Sequence, residues 1–150
     1  MDPHTELRQR LDAHARRQAR NRLADYRPYP KQQEFHAAGK TYREVLLRAG
    51  NQLGKTLAAG MELAMHLTGR YPADWPGRTW ARPIAAWAAS ETAQTTRDTL
   101  QRLLLGRPGD WGTGAIPGDT LLSQTAARGV AGLVDTVRVR HASGGVSTLT

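Results

Sequence analysis

The stretch 43–56, REVLLRAGNQLGKT, constrains this chain more than any other. A short apolar run (Val45, Leu46, Leu47) leads into a glycine-containing turn, and Lys55 and Thr56 open a helical pattern. Strand, turn and helix in that order are the context of a loop that wraps a polyphosphate. Glycine at positions 50 and 54 removes the side chain where backbone N–H groups must turn inward, and the helix offers its unpaired N-terminal amides to the same anion. Lys55 would neutralise the β- and γ-phosphates, and the Thr56 hydroxyl would be a ligand of Mg²⁺. The candidate nucleotide contacts are therefore Gly50, Asn51, Gln52, Leu53, Gly54, Lys55 and Thr56, with Thr56 also on the metal. The general pattern GxxxxGK[ST] begins on glycine where this chain has Ala49, and Gly50, one residue later, can supply the tight turn. The plain alternative is a glycine-rich turn with an exposed lysine.

Composition narrows the classes. At 150 residues the chain is one domain's worth, long enough to bury a core. A motor-type ATPase core usually needs more, so a piece of a longer protein is expected. The net charge of +8 makes nucleic acid a plausible polyanionic partner, although arginines that merely solvate the surface explain it as well. Without cysteine, disulfides and thiolate metal sites are excluded. There is no 18-residue apolar run, and the N-terminus MDPHTELRQRLD is charged, so no membrane span or secretory signal is read and a soluble intracellular protein is expected. The five histidines show no HExxH spacing and there is no GxSxG elbow, which leaves other hydrolase chemistries unsupported.

Taken in order, 5–24 predicts a polar helix with arginines at 16, 17, 20 and 22, either a phosphate-contacting or docking arm or a solvated face. In YRPYPKQQEFH (26–36) two prolines fix an extended entry, and Gln32, Gln33 and Glu34 then start a helix with Phe35 expected to be its first buried residue. The Gln32 carboxamide could match the N6 and N7 edge of adenine, with Tyr29 or Phe35 flanking the base; a proline-rich turn explains the segment equally well. The helix after the loop should run over 55–68, with Met61, Ala64 and Met65 inward and Gly69 ending it. Trp75 and Trp80 either stack on a base or cover an edge of the core. A second buried strand is predicted at 84–89, then a helix capped by Ser90 or Thr92 and ending at Leu105, with Thr99, Leu100, Leu103 and Leu104 inward. Residues 121–127 read as a short helix or turn, and the alternation over 134–141 followed by ASGG as a β-hairpin. No internal repeat is present. Strand, helix, strand, helix predicts an α/β sheet with right-handed parallel crossovers.

The joint occurrence of PYPKQQEFH (28–36), RAGNQLGKT (48–56), GRYPADWPGR (69–78) and WAASETAQTTRDTLQRLLLG (87–106), with GLVDTVRVRHASGGVSTLT (132–150), resembles the large terminase subunit of tailed bacteriophages. The resemblance covers roughly residue 26 onward. It implies an ATP-driven motor that packages double-stranded DNA into procapsids. The expected fold is a P-loop NTPase of the ASCE type, a parallel sheet with flanking helices, incomplete, preceded by an N-terminal helix and ending in a hairpin. A basic arm would occupy 1–25 and a partial ATPase domain 26–150. By the same resemblance Gln32 is similar to the family's adenine-recognising glutamine, and 50–56 to its Walker A loop with ATP and Mg²⁺. Arg97 falls in the family's RD dipeptide, a candidate catalytic residue or a structural ion-pair partner for Asp98 or a neighbouring acid. The acid of the second ATPase motif is expected to lie outside this chain; the nearest candidate, Asp135 in VAGLVD, follows an apolar run broken by Gly132 and is itself followed by Thr136 instead of glutamate. The catalytic residues therefore stay unassigned, and the chain alone is expected to hydrolyse little. The implied partners are double-stranded DNA, a small terminase subunit, a portal protein and further copies in a ring, in the host cytoplasm and not at a membrane. A helicase-like P-loop ATPase and a non-enzymatic basic DNA-binding module remain as alternatives.

Overall fold

The computed structural model describes residues 2–150, the side chains of His14, Arg17, Gln18 and Ala19 apart. Helix α1 (Pro3–Ala19) bears a Glu6–Arg10 pair at i, i+4 and leaves Leu7 and Leu11 more than half exposed, so it packs no apolar stripe. Of the expected arginine cluster, Arg16, Arg20 and Arg22 are exposed, and Arg17 lies outside the described side chains. Leu23 and Tyr26, just beyond, are the first residues to enter the core.

Helix α2 (Pro30–Thr41) starts on Pro30, two residues before the expected start at Gln32, because a proline's fixed φ and missing N–H suit the first helical position. Its buried residues are Gln32 and His36, whereas Phe35, expected to be buried first, is only half-buried. Helix α3 (Lys55–Thr68) has the predicted bounds. It starts after Gly54 and ends at Gly69, both in the left-handed region with φ of 73° and 68°. Its inward face, Met61, Ala64, Met65 and Leu67, packs with Leu104, Leu105, Ile116, Val137, Val139 and Leu149 into one core.

The sheet has the order β1-β6-β5-β4, with β1 (Ala85–Ala86), β4 (Leu121–Ala126), β5 (Val134–Arg140) and β6 (Val146–Leu149). Its hairpin β5–β6 forms where alternation and ASGG predicted it, Val139 facing Ser147 across the ladder. Helix α4 (Ala93–Thr95), capped by the Thr92 hydroxyl accepting from Thr95 N–H at 3.1 Å, runs on through a π-helical turn (Thr96–Gln101) into α5 (Arg102–Leu105). Leu104 turns inward and Leu100 and Leu103 are half-buried, but Thr99, expected inward, is exposed. A small ribbon, β2 (Gly106–Arg107) with β3 (Asp110–Trp111), follows.

Further expectations about the sheet are corrected. The sheet is mixed, since β1 and β6 pair in parallel while β6–β5 and β5–β4 are antiparallel. Residues 121–127, read as a helix or turn, form the edge strand β4, in which every residue but Leu121 is exposed, so no buried alternation marked it. Residues 45–47, read as a buried strand, join no ladder, and Leu46 is 81% exposed. A parallel strand has its hydrogen bonds only through neighbours, and here a groove of about 460 Å³, lined by Phe35, Val45, Leu47, Leu63, Trp87 and Leu103, lies beside the segment. The predicted strand over 84–89 is shortened to Ala85–Ala86, with Trp87 88% exposed at the same groove.

Gly69 carries a second constraint: a Cβ there would lie 2.6 Å from the imidazole of His141, which is buried at the end of β5. Gly69→Ala is expected to cost about 2 kcal/mol from the left-handed backbone and the displaced ring, and to lower the melting temperature by roughly 4–8 °C in a thermal scan.

Candidate functional site

The glycine loop lies between the start of α2 and the start of α3. Gln52 and Gly54 both have positive φ, 59° and 73°, so the chain curls twice before the helix begins. A helix start leaves its first amides without an intrahelical acceptor, here those of Lys55, Thr56 and Leu57, so they are available to an anion. The Lys55 ammonium folds back over the loop and donates to the carbonyls of Ala49 and Gly50, both at 2.6 Å. Thr56 is exposed one residue into the helix.

Gln32 of α2 and Tyr29, the residue that caps its start, reach this loop. The Tyr29 hydroxyl donates to the Leu53 carbonyl, and Gln32 Nε2 donates to the Gly54 carbonyl at 3.1 Å. Gln32 Oε1 meanwhile accepts from the Tyr29 N–H at 3.2 Å, so both ends of a carboxamide only 4% exposed are engaged by the protein. Tyr29 itself is nearly half exposed. Around these groups a cleft of about 620 Å³ opens between Tyr29, Phe35 and Lys31 on one side and the 45–49 segment on the other. Its size suits a mononucleotide.

Behind the loop, α2 and α3 are joined by a buried polar chain. His36 Nδ1 meets Glu62 Oε2 at 2.7 Å, and His36 Nε2 meets the Tyr26 hydroxyl at 3.0 Å. The other Glu62 oxygen lies 3.4 Å from His66 Nε2, and His66 Nδ1 lies 2.9 Å from the Tyr71 hydroxyl, which accepts from Trp80 N–H. The carboxylate can accept from one ring N–H of each histidine, and the tyrosine oxygen on the far side of each ring is the partner of its second nitrogen. Burial pushes the Glu62 carboxyl up, yet the hydrogen bonds from His36 and His66 outweigh it and hold the group below its ordinary value. Tyr26 is pushed up to about 12 by burial and by the Glu62 charge. Trp75 packs on His36 with ring centroids 4.6 Å apart, and Trp80 sits edge-on to His66, so both tryptophans cover this chain. Because both histidines face the carboxylate rather than a common point, the group is no metal cage; no cluster suited to a metal occurs among the described residues.

Arg97 does not reach the loop. Its guanidinium pairs with Asp98 at 2.7 Å and donates to the Ala131 carbonyl at 3.0 Å, tying the π-helical turn to the β4–β5 connection. That pairing holds the Asp98 carboxyl below its ordinary value. Beside it, Gln101 bridges Gly132 O and Val134 N, a brace that the sequence did not announce. Asp135 is exposed on β5. The Tyr26, His36, Glu62, His66, Tyr71 chain was also missed by sequence reasoning. Only the i, i+4 spacing of Glu62 and His66 hinted at it, because His36 finds its partner 26 residues away.

Residues 46–147 match the family described as terminase large subunit, T4likevirus-type, N-terminal. The chain belongs to the terminase large subunit family. It is 37% identical over 134 residues to the large terminase subunit of Salmonella phage P22, covering 79% of this chain and 27% of that protein. It thus spans about a quarter of the relative's length. No solved structure matches it. No helix among the described residues is long and apolar enough to cross a membrane.

Because a carboxyl held low contributes stability above its unfolded pKa of 4.5 and loses it as the pH falls through the folded value, Glu62 acts on the acid limb. Glu62→Ala leaves His36 and His66 donors unmatched and is expected to cost about 2–4 kcal/mol at neutral pH. Urea unfolding from about pH 3 to 7 should show a flatter acid limb for the variant than for the wild type.

Proposed function

We propose that this chain is the nucleotide-binding N-terminal portion of a phage DNA-packaging motor. The observation that carries the reading is the loop itself, two left-handed turns delivering Lys55 and Thr56 to the first positions of a 14-residue helix beside a mononucleotide-sized cleft. The residues fit an ATP polyphosphate. The α3 amides and Lys55 would hold it, Thr56 would ligate Mg²⁺, and the exposed Tyr29 ring would flank the base. The nucleotide would supply a cleavable phosphoanhydride; the residues of this chain bind and orient it. Membership of the terminase family supports double-stranded DNA as the cargo, with the small subunit, a portal and further copies in a ring as partners in the host cytoplasm. Arg97, braced by Asp98, serves structure in this reading.

The +8 charge and the exposed arginines of α1 favour a second reading, a basic nucleic-acid module without nucleotide chemistry. Calorimetric titration separates the two. Lys55→Ala is expected to weaken ATP binding roughly ten- to a hundredfold. Salt-sensitive DNA binding with no nucleotide affinity in the wild type would establish the module instead.

A further inference from the structure

The hydrogen bonds that the Tyr29 hydroxyl and the Gln32 carboxamide make to the loop point to a role that concerns the phosphates. A trans peptide is planar, so its C=O and the N–H of the next residue point in opposite directions. Fixing a carbonyl on one side of the loop therefore aims an amide at the other side. The Tyr29 hydroxyl holds the Leu53 carbonyl, which orients the Gly54 N–H. Gln32 Nε2 holds the Gly54 carbonyl together with the Ala58 N–H, at 3.1 and 3.0 Å, which orients the Lys55 N–H. These two amides bracket the point where the loop becomes helix, and α2 approaches there so closely that a Cβ on Gly54 would lie 2.8 Å from Gln32 Nε2 and 2.9 Å from the Tyr29 oxygen.

We infer that Tyr29 and Gln32 are positioning residues for the anion-binding amides: they preset the peptide planes at 53–54 and 54–55, so that a polyphosphate meets oriented donors without reorganising the loop. The inference rests on the nucleotide-binding reading above and deepens it. The Gln32 carboxamide, at the wall of the cleft, has its oxygen committed to the Tyr29 N–H and its nitrogen to the Gly54 carbonyl. The His36–Glu62 contact, one turn along α2, pins against α3 the helix that carries Gln32 and follows directly on Tyr29.

The test is a calorimetric comparison of ATP with inorganic tripolyphosphate, which has the phosphates and no base. Tyr29→Phe keeps the ring and removes one hydroxyl; Gln32→Met keeps the shape and removes both polar ends. Each variant is expected to bind both ligands about three- to tenfold more weakly than the wild type, by the same factor for the two ligands. Weakening of ATP with tripolyphosphate unchanged would overturn the inference in favour of base recognition. Unchanged affinities with only a lower melting temperature would overturn it in favour of a purely structural contact. If the wild type binds neither ligand, the nucleotide-binding reading itself fails, and the inference with it.

Discussion

Helix α3 has to meet two demands with one run of 14 residues, and the packing around it follows from how they are reconciled. Its middle must disappear into the core, which Met61, Ala64, Met65 and Leu67 achieve with essentially no exposure. Its first turn must stay open, because the amides there are what an anion could use. A helix buried in the middle and free at the start needs lateral anchoring between the two, and Glu62 supplies it. The carboxylate is bracketed by an imidazole from α2 and one from a turn further along α3. The desolvation that such a charge suffers is offset because both of its oxygens receive donors, and because those donors are themselves supported by Tyr26 and Tyr71.

That anchor has a geometrical consequence at the loop. His36 lies one turn beyond Gln32 on α2, so the contact that ties α2 to the middle of α3 also sets the distance from the start of α2 to Gly54. The loop's second half is thus supported from below by α3 and from the side by α2. Lys31, three residues before Glu34 and paired with it, stays at the rim. The cleft wall on this side is therefore built on two helices, a more rigid base than a loop.

What the sequence made legible was what is decided locally. Gly54 and Gly69 sit where only a left-handed residue fits, and they fixed both ends of α3 to the residue. Alternation of Val137 and Val139 with arginines, then a glycine pair, announced the β5–β6 hairpin. What stayed hidden depends on distant partners. Gln32 and His36 are polar and look like surface, and only the arrival of Gly54 and Glu62 buries them. β4 carries LLSQTA with no apolar stripe, because as an edge strand it needs only the backbone of β5. Residues 45–47 show the converse: their pattern states strand clearly, yet a pattern cannot provide the neighbour against which a strand is formed. Among the candidate site residues, the loop and Gln32 were found together by sequence and lie together in space, while Arg97 was named with them and is occupied elsewhere.

The two halves of the loop are consequently held by different means. The carbonyls of Leu53 and Gly54 are held by the Tyr29 hydroxyl and the Gln32 carboxamide, whereas the carbonyls of Ala49 and Gly50 find their donor in Lys55 itself. The lysine therefore staples the first half of the loop with the charge that a phosphate would claim. An ammonium has three N–H groups, so one is free to begin that exchange while two still hold the carbonyls. Were the remaining two to transfer as well, Ala49 and Gly50 would lose their donor, next to a 45–47 segment that has no ladder of its own. The affinity for an anion would then be set by a difference: the charge-assisted bonds gained at the anion less those surrendered at two backbone carbonyls. Rigidity at Leu53 and Gly54 matters in that balance, because every donor already aimed at the ligand is one whose reorganisation the lysine's exchange need not cover.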